Sequence, residues 1–351
     1  MKVLVTGIDG YIGTVLGPYL MGRGHDVIGI DTGFYRIGWL YNGVDSAPRI
    51  VTKDIRNVVE DDLEGCDAIV HLADLSNDPV GQLAPHVTYA INHQGTVALA
   101  AKAKRAGVPR FVYFSSCSVY GASANAASDE NGATHPLTAY AECKLLVERD
   151  LKAMADTTFC PTYLRNATAY GASPRQRFDL VVNNLCGHAW CSKLVKMDSD
   201  GTPWRPFVHV LDIAQATALT LGAPREAVFN ETFNVGDSAE NYQVRDIART
   251  VAETFPDCEL SIGSRGDDRR DYRVNFDKIH SRFPGFKCRW NVKKGALQLL
   301  RIFQSVQMSK ELFEGPAHTR LKRIQQLIAT RQIDPNFYWV NGHDLHADQG
   351  A

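Results

Sequence analysis

Short apolar runs at 2–6, 26–30, 68–72 and 110–114 punctuate the first third of the chain, β-branched or aromatic and bounded by glycine or polar turns. Longer amphipathic segments, among them 92–106, lie between them. Runs this continuously apolar are buried on both faces of a sheet, and helical connections cover those faces. Right-handed crossovers then give an α/β fold of the Rossmann type, a doubly wound parallel sheet that binds ligands at the carboxyl ends of its strands. After about Gly171 the pattern changes, and Pro174, Pro203 and Pro206 break up shorter segments rich in arginine and asparagine. Residues 232–235 read as one further strand of the main sheet. The expected organisation is a dinucleotide-binding domain over 1–170, completed by about 207–236, with a smaller C-terminal α/β substrate-binding lobe from 171–206 and 237–305. Residues 306–351 read as a docked C-terminal arm with an amphipathic helix (Leu321, Ile324, Leu327, Ile328) and an aromatic cluster, Phe337, Tyr338 and Trp339.

The bulk numbers exclude several functions. With 38 Lys and Arg against 39 Asp and Glu the net charge is −1, so no basic surface for nucleic acid or membrane is expected. No stretch approaches the ~20 apolar residues of a membrane-spanning helix. Residues 1–5 read as a buried strand instead of a signal peptide. The eight cysteines form no Cys-x-x-Cys pair and no zinc-like spacing, so no metal site is expected. Free thiols in a reducing cytosol are the natural reading.

The first strand runs into Gly7-Ile8-Asp9-Gly10-Tyr11-Ile12-Gly13, which opens a helix. Glycines permit the tight turn and let the backbone approach a pyrophosphate, which then rests on the helix N-terminus. Asp31 stands at the end of the second strand, where a carboxylate accepts both ribose hydroxyls and repels a 2′-phosphate, favouring NAD over NADP. Arg36 lies close enough to weaken that preference. Asp54 and Ile55, between the second and third of those apolar runs, suit either the adenine amino group or a solvated turn.

Tyr140 and Lys144 stand four apart in a helical segment and so share a face. An ammonium beside a phenol stabilises phenolate and makes tyrosine a usable base near neutral pH. Such a pair is commonly a surface contact; its place one helix after the 110–114 strand gives it weight. Ser115-Ser116-Cys117-Ser118-Val119-Tyr120-Gly121 follows that strand directly, where a hydroxyl can bridge the phenol and a substrate oxygen.

Taken together, Gly-x-x-Gly-x-x-Gly, Ser-Ser-x-x-Val-Tyr-Gly and Tyr-x-x-x-Lys resemble the extended short-chain dehydrogenases/reductases, in particular the NAD-dependent epimerase/dehydratase group. Further matches are His71-Leu-Ala73, Asn92-His-Gln-Gly-Thr96, Ala169-Tyr170-Gly171, Arg205 to Asp212 and Phe233-Asn-Val-Gly236. The resemblance implies that Gly7, Gly10, Tyr11, Ile12, Gly13 and Asp31 hold NAD. Asp54 and Ile55 would meet its adenine, with Leu72, Ala73, Asn92 and Ser115 along its course. Tyr140 would be the acid/base, Lys144 would hold the nicotinamide ribose and tune Tyr140, and Ser116 would polarise a sugar oxygen. Ser116, Cys117, Ser118, Thr168, Asn183, Arg205 and Arg270 would contact the substrate, the last three at its diphosphate. The sequence also departs from the group. Cys117-Ser118 replaces the Asp-Glu pair of 4,6-dehydratases, Asp74 stands where alanine is common, and Thr168 replaces a frequent asparagine. Cys117 reads either as a second acid/base or as a buried structural thiol.

The function this implies is an NAD-dependent epimerase of a nucleoside diphosphate sugar, acting at C4 through a transient keto intermediate. A one-way C4 dehydrogenase or ketoreductase is the alternative within enzymes, and an NAD-binding redox sensor the alternative outside them. In many relatives the helices equivalent to 92–106 and 140–155 build a homodimer, and a homodimer is expected here.

Overall fold

The computed structural model describes residues 1–42, 46–76, 78–122, 127–265 and 270–340. The strands, in chain order, are β1 (Lys2–Thr6), β2 (Asp26–Asp31), β3 (Arg49–Thr52), β4 (Ala68–His71), β5 (Arg110–Ser116), β6 (Cys160–Asn166), β7 (Thr168–Tyr170), β8 (Leu194–Ser199), β9 (Trp204–His209), β10 (Thr232–Val235), β11 (Asn241–Gln243) and β12 (Glu259–Arg265). Seven of them form one parallel sheet in the order β10-β6-β5-β4-β1-β2-β3. The winding reverses at β1, which lies between β4 and β2. That reversal opens a crevice at the carboxyl ends of the strands. Val3, Leu4 and Val5 of β1 and Ala68, Ile69 and Val70 of β4 are fully buried, which is why these strands read as unbroken apolar runs.

Two elements differ from the sequence expectation. β6 is buried along its whole length although it carries Pro161, Thr162, Arg165 and Asn166. Thr162 and Arg165 find their partners inside the protein, and these buried polar side chains leave the run without a hydrophobic signal. The segment expected as one helix over 92–106 is a π-helical turn, Tyr89–Gly95, followed by the helix Thr96–Arg105. The wide turn carries Asn92 inward, where its amide pairs with both the N–H and the C=O of Leu75, at 2.8 and 3.2 Å.

A second core gathers around β7, β9 and β11, the β8–β12 pair and the helices Val181–Ser192, Val244–Thr254 and Val292–Ser305. Phe178, Leu185, Phe207, Val251, Leu299 and Phe303 fill it. The arm helix Arg320–Ala329 buries Ile324 and Leu327 completely, but Ile328 is 41% exposed and lies off the packed face. This helix joins a separate apolar cluster with Phe34, Ile55, Leu75 and Ile91, against the nucleotide end of the main sheet. Residues 341–351 of the arm lie outside the described residues. Among the described residues no helix is long and apolar enough to cross a membrane.

The helix Ala139–Met154 is fastened to the sheet by charge. Glu148, 1% exposed, takes a two-pronged contact from Arg165 of β6, at 2.9 and 2.7 Å. Ser115 of β5 donates to the same carboxylate at 2.5 Å, and Arg165 also donates to the Tyr120 hydroxyl at 3.0 Å. Glu148→Ala strands the Arg165 guanidinium in a dry interior and is expected to cost about 3–5 kcal/mol of folding free energy. Denaturant unfolding reads this as a lowered midpoint, and an unchanged midpoint would refute the fastening role.

Candidate active site

The turn after β1 is built on glycine for steric reasons. Gly7 has φ +73°, and a Cβ on Gly13 would lie 2.4 Å from the carbonyl oxygens of Gly7 and Ile8. The loop is therefore as tight as backbone permits, and it delivers the first turn of the helix Gly13–Met21 to the crevice. No acidic side chain occupies that first turn, so the partial positive charge of the helix end faces the crevice unopposed.

The crevice is one continuous cleft of about 420 Å³. Of the residues assigned by sequence, Gly7, Gly10, Tyr11, Ile12, Gly13, Asp31, Asp54, Ile55, Leu72, Ala73 and Ser115 line its nucleotide part. Ser116, Ser118, Tyr140, Lys144, Thr168, Arg205 and Arg270 also line it. Asp31 accepts from the N–H groups of Gly33 and Asp9, at 2.8 and 3.1 Å. Burial, and then the neighbouring Asp9, pushes its carboxyl up to about 6. Arg36 is held by Asp9 at 2.6 Å and by the Thr52 hydroxyl at 3.0 Å. Asp54 combines both sequence readings: it caps the turn Ile55–Asn57, is gripped by Arg56 at 2.6 and 2.9 Å, and still faces the cleft.

Three assigned residues do not reach the cleft. Asn92 is fully buried and spent on Leu75, so it shapes the wall from behind. Asn183 is likewise fully buried: its oxygen accepts from Gly171 N–H at 3.0 Å, while its amide donates to the Tyr11 hydroxyl and the Arg177 carbonyl. It has no donor left for a diphosphate. Cys117, 1% exposed, turns inward and donates to the Arg165 carbonyl at 3.1 Å. Burial pushes its thiol far above the ordinary cysteine value. It is a packed thiol, not a substrate contact.

At the far end, Lys144 is 2% exposed and donates to the Phe114 carbonyl and to the carboxylate of Asp74. Its ammonium lies 5.3 Å from the Tyr140 ring centre and 4.6 Å from that of Tyr113. Burial pulls Lys144 down, but Asp74 and Tyr140 outweigh it and hold the ammonium above the ordinary lysine value. Burial raises Asp74 to about 6 against the pull of Lys144, so the two form an ion pair at neutral pH. The Tyr140 phenol is raised by burial; Lys144 and the Ser116 hydroxyl pull it down, while Asp74 and Asp78 push it up. His71, below this group, bridges the hydroxyls of Thr6 and Thr96 at 2.6 and 2.8 Å and is kept neutral, its pKa drawn down to about 3 by burial and Lys144.

The cleft fits a dinucleotide on two observations: a glycine cradle that any Cβ would fill, and polar atoms turned inward without protein partners. The latter are Asp74 Oδ1, Asp78 Oδ1, Ser118 Oγ and Asn166 Oδ1, all on cleft-lining residues. Asn166, Tyr35, Arg177, Tyr272 and Arg320 line the cleft too and were not assigned from the sequence. Neither Arg177 nor Arg320 is singled out by spacing or periodicity in the sequence. Because Asp74 stabilises the protonated phenol, Asp74→Asn is expected to lower the Tyr140 pKa. Ultraviolet difference titration of tyrosinate, blanked with Tyr140→Phe, measures it; an unmoved titration would mean that the Asp74 field does not reach the phenol.

Comparison with known proteins agrees with this geometry. The model of the NAD dependent epimerase/dehydratase family matches residues 3–236. A UDP-glucose 4-epimerase of Corynebacterium glutamicum is 29% identical over 268 residues, covering 72% of this chain and 80% of the relative. The low-salt glycan biosynthesis protein Agl12 of Haloferax volcanii is 26% identical, covering 84% of this chain and 96% of that protein. Among solved structures, MoeE5 in complex with UDP-glucuronic acid and NAD superposes with a TM-score of 0.75 at 26% identity, over 87% of this chain and 99% of that one. The UDP-glucose 4-epimerase of Thermotoga maritima, at 22% identity, shares the fold with a TM-score of 0.75 over 88% of this chain and 100% of its own. The chain carries a glycine cradle, an aspartate at the end of β2 and a Ser-Tyr-Lys group along one cleft, and it belongs to the NAD dependent epimerase/dehydratase family.

Proposed function

We propose that the chain inverts a carbon, C4, of a nucleoside diphosphate sugar. The observation that carries the reading is the continuity of one cleft, from the glycine cradle past Ser116, Tyr140 and Lys144 to Arg205 and Arg270. NAD, when bound, accepts hydrogen from the sugar carbon as hydride and returns it. The chain supplies the remainder. Tyr140 takes the proton of the sugar hydroxyl as the carbonyl forms and gives it back when the carbonyl is reduced. Lys144 holds that phenol in reach of ionisation, and Ser116 orients the same oxygen. Return of hydrogen to the opposite face requires the keto sugar to turn in the cleft while its diphosphate stays anchored.

Arg205 and Arg270 are suited to that anchor because a planar guanidinium grips phosphate oxygens in pairs. Arg205 is 6% exposed and stacks 5.4 Å from the Tyr272 ring centre; Arg270 is held at 3.0 Å by Asp78. Asn183 is left out of the anchor for the reason given above. Inversion is favoured over elimination of water by the position where dehydratases carry two acidic side chains. Here Cys117 is turned inward and Ser118 offers only a hydroxyl. A homodimer through Thr96–Arg105 and Ala139–Met154 belongs to the same reading, since Val97, Ala101, Leu145 and Leu146 on those helices are only partly buried. Eight unpaired cysteines suit a reducing compartment such as the cytosol.

Protein as purified, incubated with UDP-, GDP-, CDP- and dTDP-sugars, is expected to give a product of unchanged mass with one inverted carbon and no need for added cofactor. Mass spectrometry with NMR decides. A product lighter by two hydrogens, formed only with added NAD, would make the chain a dehydrogenase instead. Tyr140→Phe is expected to lower turnover by about 10²–10⁴-fold while leaving bound NAD in place; unchanged turnover would remove Tyr140 from the reaction.

A further inference from the structure

The arm meets the cofactor end of the cleft with a buried charge that, among the described residues, no carboxylate pairs with. Arg320, the first residue of its helix, is 5% exposed and lines the cleft beside Asp31, Tyr35 and Arg177. Its guanidinium stacks 3.7 Å from the Tyr35 ring centre, and among the described residues it makes no hydrogen bond and no ion pair with a carboxylate. Arg177 next to it is gripped by Asp179 at 2.8 Å and donates to the Ser76 hydroxyl at 2.9 Å. Burial and the Arg177 charge draw the Arg320 guanidinium down to about 10, well below the ordinary arginine value. Tyr35, Asp179 and Asp31 answer that charge only in part and without an ion pair, and a buried guanidinium so placed favours an anion brought to it.

The arm is also fixed to the backbone that carries the nucleotide residues. Arg323 donates to the Phe34 carbonyl at 2.8 Å, and the Trp339 indole donates to the Thr32 carbonyl at 2.8 Å. Arg56 reaches the Asn336 carbonyl at 2.8 Å and stacks 3.6 Å from the Tyr338 ring centre. These contacts flank Asp31 and Asp54, so Arg320 is held at one place in the cleft.

We propose that Arg320 binds the diphosphate of NAD from the arm side, so that the C-terminal arm completes the cofactor site and governs how tightly NAD is retained. The proposal rests on the cleft being the dinucleotide site. The same chemistry, a diphosphate, is carried by the sugar substrate; Asp31 and Tyr35 beside Arg320 favour the cofactor, because Arg205 and Arg270 are the cations proposed for the substrate.

The test uses the full chain. NAD that copurifies is released and counted, and NAD and UDP affinities of the stripped protein are measured by calorimetry, with thermal melts as the check of folding. Arg320→Gln is expected to lose copurified NAD and weaken NAD binding about 10- to 100-fold, the range of one or two charge-assisted hydrogen bonds. UDP affinity should hold. Arg320→Lys, which keeps a point charge but not the fork, should fall between, and Arg331→Gln on the exposed side of the arm should match the wild type. If Arg320→Gln does not fold, the lysine variant decides by the same readout. Unchanged NAD affinity in a folded variant overturns the proposal, as does a loss of UDP affinity with NAD held. A wild-type chain that binds no NAD overturns both this and the reading of the cleft, whereas failure of the sugar panel alone leaves the arm result standing.

Discussion

The buried pair of Glu148 and Arg165 is the contact on which the reacting end depends. Two charges taken out of water cost more than their attraction returns unless every prong is matched. Here the match is close to complete, since the carboxylate takes Ser115 and both arms of Arg165, while Arg165 also reaches Tyr120. Glu148, Lys144 and Tyr140 succeed one another at intervals of four along the helix Ala139–Met154, so pinning the first sets the height and rotation of the other two. Tyr140, the base proposed here, inherits its position from β5 and β6, and rigid elements hold such positions better than loops.

Charge in the cleft follows a simple order. Most cations in its wall or just behind it have an acid of their own: Lys144 with Asp74 and Arg177 with Asp179 in the wall, Arg56 with Asp54 and Arg36 and Arg175 with Asp9 behind it. These pairs set walls and fields and have little left to offer a ligand. Asp31 and Arg320 stand outside that order, one carboxylate and one guanidinium near each other but answered by backbone N–H groups and an aromatic ring respectively. Residues of this kind are where a ligand with hydroxyls and phosphates finds partners that the fold has not already used.

Much of this was legible in the sequence. β1, β2, β4 and β5 announce themselves because both faces are buried, and the glycine cradle and the Tyr140–Lys144 spacing carry their own mechanics. β6 was hidden because its buried run carries Thr162, Arg165 and Asn166, the arginine paired inside the protein with Glu148, against the pattern that apolar runs reveal. Cys117 was assigned to the substrate by its place in a motif, yet neighbouring residues at a strand end turn to different sides, and it is Ser116 and Ser118 that face the cleft. Asn92 and Asn183 fail for a related reason: a motif gives position along the chain, not whether the amide is already occupied. Arg320 left no trace at all, because its partners lie across the chain; the neighbouring contact of Arg323 with Phe34 spans 289 residues.

That separation bears on how the protein is born. The sheet strands and the glycine cradle lie in the first 235 residues, and N-terminal units fold first during synthesis. The apolar cover over Phe34 and Ile55 comes from Ile324, Leu327, Ile333 and Phe337, which emerge well after the whole sheet. A nascent chain that has finished its sheet therefore exposes a raw hydrophobic edge at the nucleotide end, and stays vulnerable to chaperone capture or aggregation until the arm arrives to seal it.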